Sequence, residues 1–256
     1  MTDPRVIASA LITAQRDRAP IPPFTRQNPF LAVETAYQAQ RLVVGHRLDA
    51  GEAIIGAKLG LTSRVKRAAL GIHEPVYGRL TSGMVVASGE PMSLADLIHP
   101  RAEPEIAFLV GRPIEAPTSV ARVLAATEAV VPAIEVVDSR YSSAFRLPDS
   151  VADNAGAARV IMGNRARRPD DLVDLSVLGC VFRSRGGINT AAGGAVMGHP
   201  ARALIWLADA LGARGERIEA GSIVLSGGLT ASVALARGGV VMAEFDGLGT
   251  VSLQCA

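Results

Sequence analysis

The sequence predicts an α+β fold in one compact unit, with a helical N-terminal extension and a β-rich body. Three observations predict it. Apolar side chains recur at helical spacing in the first 50 residues, short apolar runs bounded by Gly and Pro fill most of the remainder, and no segment repeats at the fixed period of a solenoid. A chain of 256 residues that is 49% hydrophobic can also bury a sizeable core.

Most elements can be placed from this spacing. The predicted helices span residues 3–18, 33–49, 63–70, 119–128 and 199–211. The predicted strands span residues 53–61, 105–110, 130–138, 159–163, 178–183, 223–226 and 241–245. Gly71 is expected to end the third helix, and residues 72–80 are expected to form a loop that could cover a pocket. We divide the chain into a helical extension with one core strand, residues 1–75, and a β-rich catalytic body, residues 76–256.

Composition and charge exclude several classes of protein. Aromatic residues are only 4% of the chain, and a formal charge of +2 comes without a basic block, so no nucleic-acid partner is expected. No apolar run approaches the roughly 20 residues of a membrane span, and the first residues lack the pattern of a secretion signal. We therefore expect a cytoplasmic protein without a membrane partner. Two separated cysteines and four isolated histidines give no zinc motif, so any metal would be held by oxygen.

Three glutamates are candidate metal ligands. Glu103 and Glu105 are two apart, so in an extended segment both side chains point to one face. Glu135 lies in an apolar run, where an unpaired carboxylate would cost several kcal/mol to desolvate. Three carboxylates suit octahedral Mg²⁺ or Mn²⁺. Two alternatives stay open: Glu103 and Glu105 as a solvated pair at a sheet edge, and Glu135 as the ion-pair partner of Arg140.

Lys58 is a long cation inside an apolar strand. It could neutralise a substrate carboxylate or donate to an oxyanion. From composition alone the simpler interpretation is favoured, in which the lysine lies on an edge strand and its ammonium group reaches water. Residues 138–141 and 149–154 concentrate polar side chains after the Glu135 strand. They could line a pocket or only form turns and helix caps.

Six segments resemble a known family. They are residues 56–63, 100–108, 132–140, 151–154, 198–200 and 225–230. On these segments, and over nearly its whole length, the chain resembles the 2-keto-4-pentenoate hydratase and 2-oxo-3-hexenedioate (4-oxalocrotonate) decarboxylase group of the fumarylacetoacetate hydrolase superfamily. The resemblance implies a mixed, barrel-like β-roll with flanking helices, a homo-oligomer, and a 2-oxo acid substrate from the meta-cleavage of aromatic or steroid rings. A complex with the pathway hydratase is a further expectation.

The resemblance also implies roles for particular residues. Glu103, Glu105 and Glu135 would bind Mg²⁺ or Mn²⁺, and Lys58 would be a catalytic residue facing the substrate. The residues expected to contact the substrate are Leu59, Val76, Arg140, Ser150, Asp153 and Thr230.

One position distinguishes the two activities of the group. Hydratases resemble one another in carrying Pro-Asp-Phe-Gly in the lid loop, whereas this chain has Val76 in place of that aspartate, between Pro75 and Tyr77. The carboxylate that hydration would use is therefore absent, which favours decarboxylation of 2-oxo-3-hexenedioate to 2-hydroxypenta-2,4-dienoate. A hydratase acting on 2-hydroxypenta-2,4-dienoate is the alternative, and a non-catalytic partner subunit is a weaker one.

Overall fold

The computed structural model describes residues 3–70 and 72–256. Its helices are α1 (Pro4–Asp17), α2 (Val33–Asp49), α3 (Arg64–Leu70), α4 (Val120–Ala126), α5 (Leu147–Ala152) and α6 (Ala201–Gly212). Its strands are β1 (Ile54–Gly60), β2 (Val76–Thr81), β3 (Val85–Val86), β4 (Pro91–Met92), β5 (Arg101–Val110), β6 (Thr127–Val137), β7 (Ala157–Met162), β8 (Gly179–Ser184), β9 (Gly187–Ala192), β10 (Ile223–Leu225), β11 (Val233–Ala234), β12 (Val240–Phe245) and β13 (Gly249–Cys255).

The two N-terminal helices lie where the spacing predicts them. The Asp3 side chain caps α1 by accepting from the Arg5 backbone N–H, and Pro4 occupies the first turn, where its missing N–H costs nothing. Ile7 and Leu11 recur one helical turn apart and are almost fully buried. Helices α1 and α2 pack on each other, and their buried side chains belong to the main hydrophobic core of the body.

Two mixed sheets form the body. The larger has eight strands in the order β2-β1-β10-β5-β6-β7-β3, with β11 added beside β5, and it curls into a half-barrel. The smaller has five strands in the order β4-β13-β12-β8-β9. This architecture confirms the predicted α+β fold with a barrel-like β-roll and flanking helices. The division at residues 75 and 76 stays a prediction, although β1 of the first segment lies within the larger sheet.

Strand alternation gives the larger sheet two different faces. On one face, Ile106 and Phe108 of β5 join the main core with the helices. On the other face, Ala107 of β5 and Leu225 of β10 join a second, smaller apolar cluster. Because successive side chains of a strand point to opposite faces, odd-numbered residues of β5 and β6 share the face of the smaller cluster. The three glutamates are all odd-numbered, so the curled sheet brings them to this face.

Three sequence predictions were wrong in detail. Residues 72–80 were expected to be a loop, but Val76–Thr81 is strand β2, paired antiparallel to β1. The reason is that this segment buries side chains on both faces of the sheet. The helix expected over residues 119–128 ends at Ala126, and Glu128 lies in β6. Strand β12 was expected to close the fold, but β13 follows it and pairs with both β12 and β4. Gly71, expected to end α3, lies outside the described residues.

Within the described residues, no helix is both long enough and apolar enough to cross a membrane.

Candidate active site

The three predicted metal ligands come together on neighbouring strands. Glu103 of β5 pairs directly with Glu135 of β6, and Glu105 lies two residues further along β5 on the same face. One carboxylate oxygen from each side chain lies within 4.8 Å of the other two. A Cβ atom at Gly228 would lie 2.6 Å from Glu103 Oε2, so this glycine leaves the space that the carboxylate occupies. The sheet register therefore creates a cluster that the sequence spacing only suggested.

Burial makes this cluster costly unless a cation is bound. Glu105 and Glu135 are fully buried, while Glu103 is partly exposed. Burial, then the charge of Glu135, raises the pKa of Glu105 well above its usual value, even though Glu105 Oε2 accepts a 2.6 Å hydrogen bond from the Gly227 N–H. Glu105 Oε1 has no hydrogen-bond partner in the described part of the chain. The interpretation of a solvated edge pair is therefore wrong for Glu105.

The donor set fits a hard divalent cation. The three side chains offer only carboxylate oxygens, and Glu105 Oε1 and Glu135 Oε2 are buried atoms that lack hydrogen bonds in the described residues. A buried acceptor without a donor is rare in folded proteins, and a cation satisfies it and removes the repulsion between like charges. These residues therefore fit Mg²⁺ or Mn²⁺, which prefer oxygen ligands.

Lys58 is fixed inside the cluster. Its side chain is 3% exposed, and Nζ lies 3.0 Å from Glu135 Oε1 and donates a 2.9 Å hydrogen bond to the Ala155 carbonyl oxygen. Burial alone would lower the pKa of Lys58, but the charges of the three glutamates outweigh burial and raise it, so the ammonium form is retained. The interpretation in which this lysine reaches water is wrong, because β1 is flanked by β2 and β10 and is not an edge strand.

A tight turn after α5 presents the carbonyl group that holds Lys58. Asn154 and Ala155 both have φ of 52°, a left-handed conformation that asparagine tolerates better than most residues. The Asn154 side chain pairs with the backbone of Arg79, accepting from its N–H at 2.7 Å and donating to its carbonyl at 2.9 Å. Strand β2 approaches the turn closely at Gly78, where a Cβ atom would lie 2.2 Å from the Asn154 carbonyl oxygen. Asn154 therefore fixes the turn to β2.

A cavity of about 700 Å³ opens beside these residues. Lys58 and Glu103 line it, together with Val76, Ser150 and Asp153 among the predicted substrate contacts. A Cβ atom at Gly60 would lie 3.0 Å from Val76 Cγ2 and 3.8 Å from Lys58 Nζ, so the valine methyl group and the ammonium group both lie next to Gly60. A more open depression of about 1010 Å³ elsewhere on the surface is lined neither by Lys58 nor by any of the three glutamates.

The other three predicted contacts do not line the cavity. The Leu59 side chain points to the opposite face of β1 and is buried in the main core, so only its backbone could meet a substrate. Thr230 is mostly buried and donates to the Ala231 carbonyl oxygen at 3.0 Å. Arg140 does not line the cavity itself but pairs with Asp153, which does. Direct contact of these residues with a substrate remains a prediction.

Arg140 and Asp153 form a buried ion pair that supports the cavity wall. The Arg140 guanidinium donates to the carboxylate and to the backbone carbonyl of Asp153, and the Arg140 N–H donates to Asp153 Oδ2 at 3.1 Å. Burial raises the pKa of Asp153 to about 6, against the opposing effect of the Arg140 charge. The alternative in which Arg140 pairs with Glu135 is wrong, because Glu135 pairs with Lys58.

Several cavity residues were not identified from the sequence. Among them are His99, Arg101, Phe145 and Arg146. Arg101 precedes Glu103 by two residues in β5, so strand alternation was a signal that places it on the same face. No comparable signal exists for Arg146, because it reaches the cavity through the position of α5 in the fold.

A curled sheet with three clustered carboxylates and a buried lysine beside one cavity defines a metalloenzyme site of the oxygen-donor type. Residues 54–255 match the family model described as fumarylacetoacetate (FAA) hydrolase C-terminal, and the chain belongs to this family. This finding confirms the family resemblance of the sequence.

Relatives with both activities of the group are similar to this chain. A 4-oxalocrotonate decarboxylase of Pseudomonas sp is 41% identical, over 88% of this chain and 87% of the relative. A 2-hydroxyhexa-2,4-dienoate hydratase of Comamonas testosteroni is 39% identical, over 95% of this chain and 94% of the relative. The structure of 4-oxalocrotonate decarboxylase from Pseudomonas putida G7, complexed with magnesium and adipate, superposes with a TM-score of 0.93 at 35% identity, covering 98% of this chain and 96% of that one. All three relatives are lyases.

Proposed function

We propose that this protein is a divalent-metal-dependent decarboxylase that converts 2-oxo-3-hexenedioate into 2-hydroxypenta-2,4-dienoate in meta-cleavage catabolism. One observation carries the choice between the two activities of the group. Among the cavity-lining residues, the acidic side chains other than the candidate ligand Glu103 are Asp138 and Asp153. Asp138 accepts from the backbone N–H groups of Ile98 and His99, and Asp153 pairs with Arg140. Both carboxylates are already engaged by protein donors, which disfavours either as the acid or base that hydration needs.

The metal ligands in this proposal are Glu103, Glu105 and Glu135. A divalent cation bound there would supply a Lewis acid that polarises the 2-oxo group of the substrate. Mg²⁺ and Mn²⁺ both fit the three carboxylates.

The reaction shifts electron pairs along the conjugated substrate. The C5–C6 bond breaks and C6 leaves as CO₂, and the electron pair of that bond forms the C4–C5 double bond. The C3–C4 π pair moves to C2–C3, and the C2–O π pair moves onto the C2 oxygen, which takes up a proton. Lys58 keeps its ammonium group beside the cluster, where it orients the C1 end of the substrate and stabilises the negative charge that develops on the C2 oxygen. Because Lys58 is held at two sides, it requires no reorganisation as that charge develops.

Val76 contributes by excluding water. It is 2% exposed and lines the same cavity as Lys58, at the position where a hydratase of this group carries an aspartate. The C6 carboxylate gives up its negative charge as it becomes CO₂, and an apolar wall favours that loss of charge. Hydration of 2-hydroxypenta-2,4-dienoate is the second candidate function, because a similar relative is a hydratase.

Assembly and location follow the group. We place the protein in the cytoplasm as a homo-oligomer that also associates with the hydratase acting on its product. The third interpretation, a non-catalytic partner subunit, is disfavoured because Lys58 and the three glutamates are all retained in one cluster.

Two substrates test the proposed activity. Purified protein is incubated with 2-oxo-3-hexenedioate and, separately, with 2-hydroxypenta-2,4-dienoate, each with Mg²⁺ or with EDTA, while CO₂ release and dienol absorbance are followed. We expect CO₂ from the first substrate only, and none in EDTA. Metal-dependent consumption of the second substrate alone would identify a hydratase. Inactivity on both, in a protein whose stability does not depend on metal, would support the non-catalytic interpretation.

A further inference from the structure

The cavity carries two arginines in addition to Lys58. Arg101, at the start of β5, is anchored by hydrogen bonds from its guanidinium group to the side chain and carbonyl of Ser232, at 2.8 and 2.7 Å. Arg146, immediately before α5, is exposed and forms no ion pair with any described residue. Both line the same cavity as Lys58 and Glu103.

The backbone of Arg146 is held in place. Its N–H donates to Asp149 Oδ2 at 3.0 Å, and its carbonyl accepts from the Ser150 N–H at 3.1 Å. These two bonds fix Arg146 as the N-cap residue of α5. Asp149 is fully buried and also accepts from the backbone N–H and the hydroxyl group of Thr25. The backbone from which the Arg146 side chain extends is therefore fixed, although the side chain itself is exposed.

Charge is balanced at the carboxylate cluster but not at the arginine-lined part of the cavity. Lys58, the three glutamates and one divalent cation carry no net charge together. The carboxylate of Asp153 is neutralised by Arg140, and that of Asp138 is turned to two backbone N–H groups. Arg101 and Arg146 remain, and only Asp138 opposes them. A substrate with a second negative charge, remote from the metal end, would find these cations unneutralised.

We propose that Arg146 is a specificity-determining residue that selects substrates with a second carboxylate, by binding the end of the molecule remote from the metal. This inference rests on the proposed function and deepens it, because 2-oxo-3-hexenedioate has two carboxylates and 2-hydroxypenta-2,4-dienoate has one. Arginine suits this role because its planar group binds a carboxylate through two parallel hydrogen bonds. Arg146 binds the C6 carboxylate, whose charge is lost as CO₂ leaves, so the contact is strongest in the bound substrate; it contributes to affinity and does not accelerate CO₂ loss.

Binding of two unreactive acids tests the inference apart from activity. Adipate and hexanoate have the same number of carbon atoms but carry two carboxylates and one. Each is titrated by calorimetry into the Mg²⁺-loaded wild type, Arg146→Gln and Arg146→Lys. We expect Arg146→Gln to weaken adipate binding about five- to tenfold, the range of an exposed charge-assisted contact, and to leave hexanoate binding unchanged. Arg146→Lys should keep part of the preference, because it keeps the charge but not the paired hydrogen bonds.

Arg185→Gln is the matched control, because Arg185 is an exposed arginine in the turn between β8 and β9 and does not line the cavity. It should bind both acids as the wild type does. Equal weakening by both glutamine variants would mean that only net charge matters, and unchanged adipate affinity in Arg146→Gln would overturn the inference. Kinetics of Arg146→Gln with 2-oxo-3-hexenedioate should show a raised KM and a kcat that does not fall. If the protein releases no CO₂ yet binds adipate through Arg146, the proposed function fails and the inference stands.

Discussion

Lys58 Nζ lies 3.0 Å from Glu135 Oε1 and 2.9 Å from the Ala155 carbonyl oxygen, with both charged side chains buried. The ammonium group thus belongs to the carboxylate cluster and also faces the cavity. A buried ion pair is costly to form and more costly to break from one side. Its presence in a central strand is therefore best explained by the chemistry of the site.

Replacing the lysine should affect activity and metal binding in opposite directions. Lys58→Met is expected to lower kcat by about 10²–10³, the range for loss of one preorganised donor. It also leaves the three glutamates without their ammonium partner, so Mg²⁺ should raise the melting temperature of the variant more than that of the wild type. Thermal unfolding with Mg²⁺ and with EDTA measures this difference. Lys58→Arg keeps the charge and should show the wild-type Mg²⁺ shift; an equal shift in Lys58→Met would contradict the assignment.

Removing one carboxylate should separate metal binding from stability. Glu105→Gln is expected to abolish most Mg²⁺ binding while stabilising the metal-free protein by about 1 kcal/mol, because it removes one of two buried like charges. Calorimetric titration with Mg²⁺ and urea unfolding in EDTA provide the two measurements. The control is Glu115→Gln, which alters an exposed glutamate paired with Arg217 at the surface and should change neither. A metal-free Glu105→Gln protein markedly less stable than the wild type would argue against repulsion in the cluster.

Position 76 should decide which reaction follows metal binding. Val76→Asp places a carboxylate in the wall of the cavity that Lys58 also lines. We therefore expect decarboxylation to fall about tenfold or more while hydration of 2-hydroxypenta-2,4-dienoate appears, in the range of acid–base contributions. Mg²⁺ binding should be retained. Val76→Thr, similar in shape but without the charge, separates loss of apolar surface from the new carboxylate. Full decarboxylase activity in Val76→Asp would show that water exclusion at this wall is unimportant.

Asn154 should act on catalysis through the carbonyl group that holds Lys58. Asn154→Gly tolerates the φ of 52° but loses both hydrogen bonds to Arg79, whereas Asn154→Ala loses the bonds and also strains the turn. We expect kcat to fall in both variants with little change in KM, and Asn154→Ala to be less stable than Asn154→Gly by about 1 kcal/mol. Steady-state kinetics and urea unfolding test the two effects. Wild-type kcat in Asn154→Gly would show that the side-chain bonds do not position Lys58.

The raised pKa of Asp153 predicts a pH dependence of stability. Its pKa is about 6 in the folded protein and near 4 when unfolded, so the folded state binds a proton first as pH falls. Stability contributed by this group should therefore increase between pH 6 and pH 4, by about 2 kcal/mol, and decrease as pH rises through 6. Urea unfolding of wild type and Asp153→Asn across this range isolates the effect, since the variant lacks the group. A constant difference between the two proteins would contradict the shift.

Local patterns were sufficient to predict much of the fold and the candidate metal ligands on β5. Helical spacing located α1 and α2 within a residue or so, because one face of each is buried against the body. Strand alternation placed Glu103 and Glu105 on one face, since side chains two apart in a strand point the same way. The errors at residues 72–80 and at Glu128 fall in short apolar stretches that are compatible with more than one type of secondary structure. Pairing with the neighbouring strands decides which type forms.

The sequence by itself determined the α+β class, the helical extension, the oxygen-only set of candidate metal ligands and the placing of Glu103 and Glu105 on one face of β5. Each of these depends on residue type or on spacing within one element. Tertiary structure alone decided that β1 is central and Lys58 buried, that Glu135 pairs with Lys58 and Arg140 with Asp153, and that α5 brings Arg146 to the cavity. These relationships join residues far apart in the chain. Sheet order and register determine these relationships. Both depend on how the whole core packs, which the local preferences of these residues do not specify.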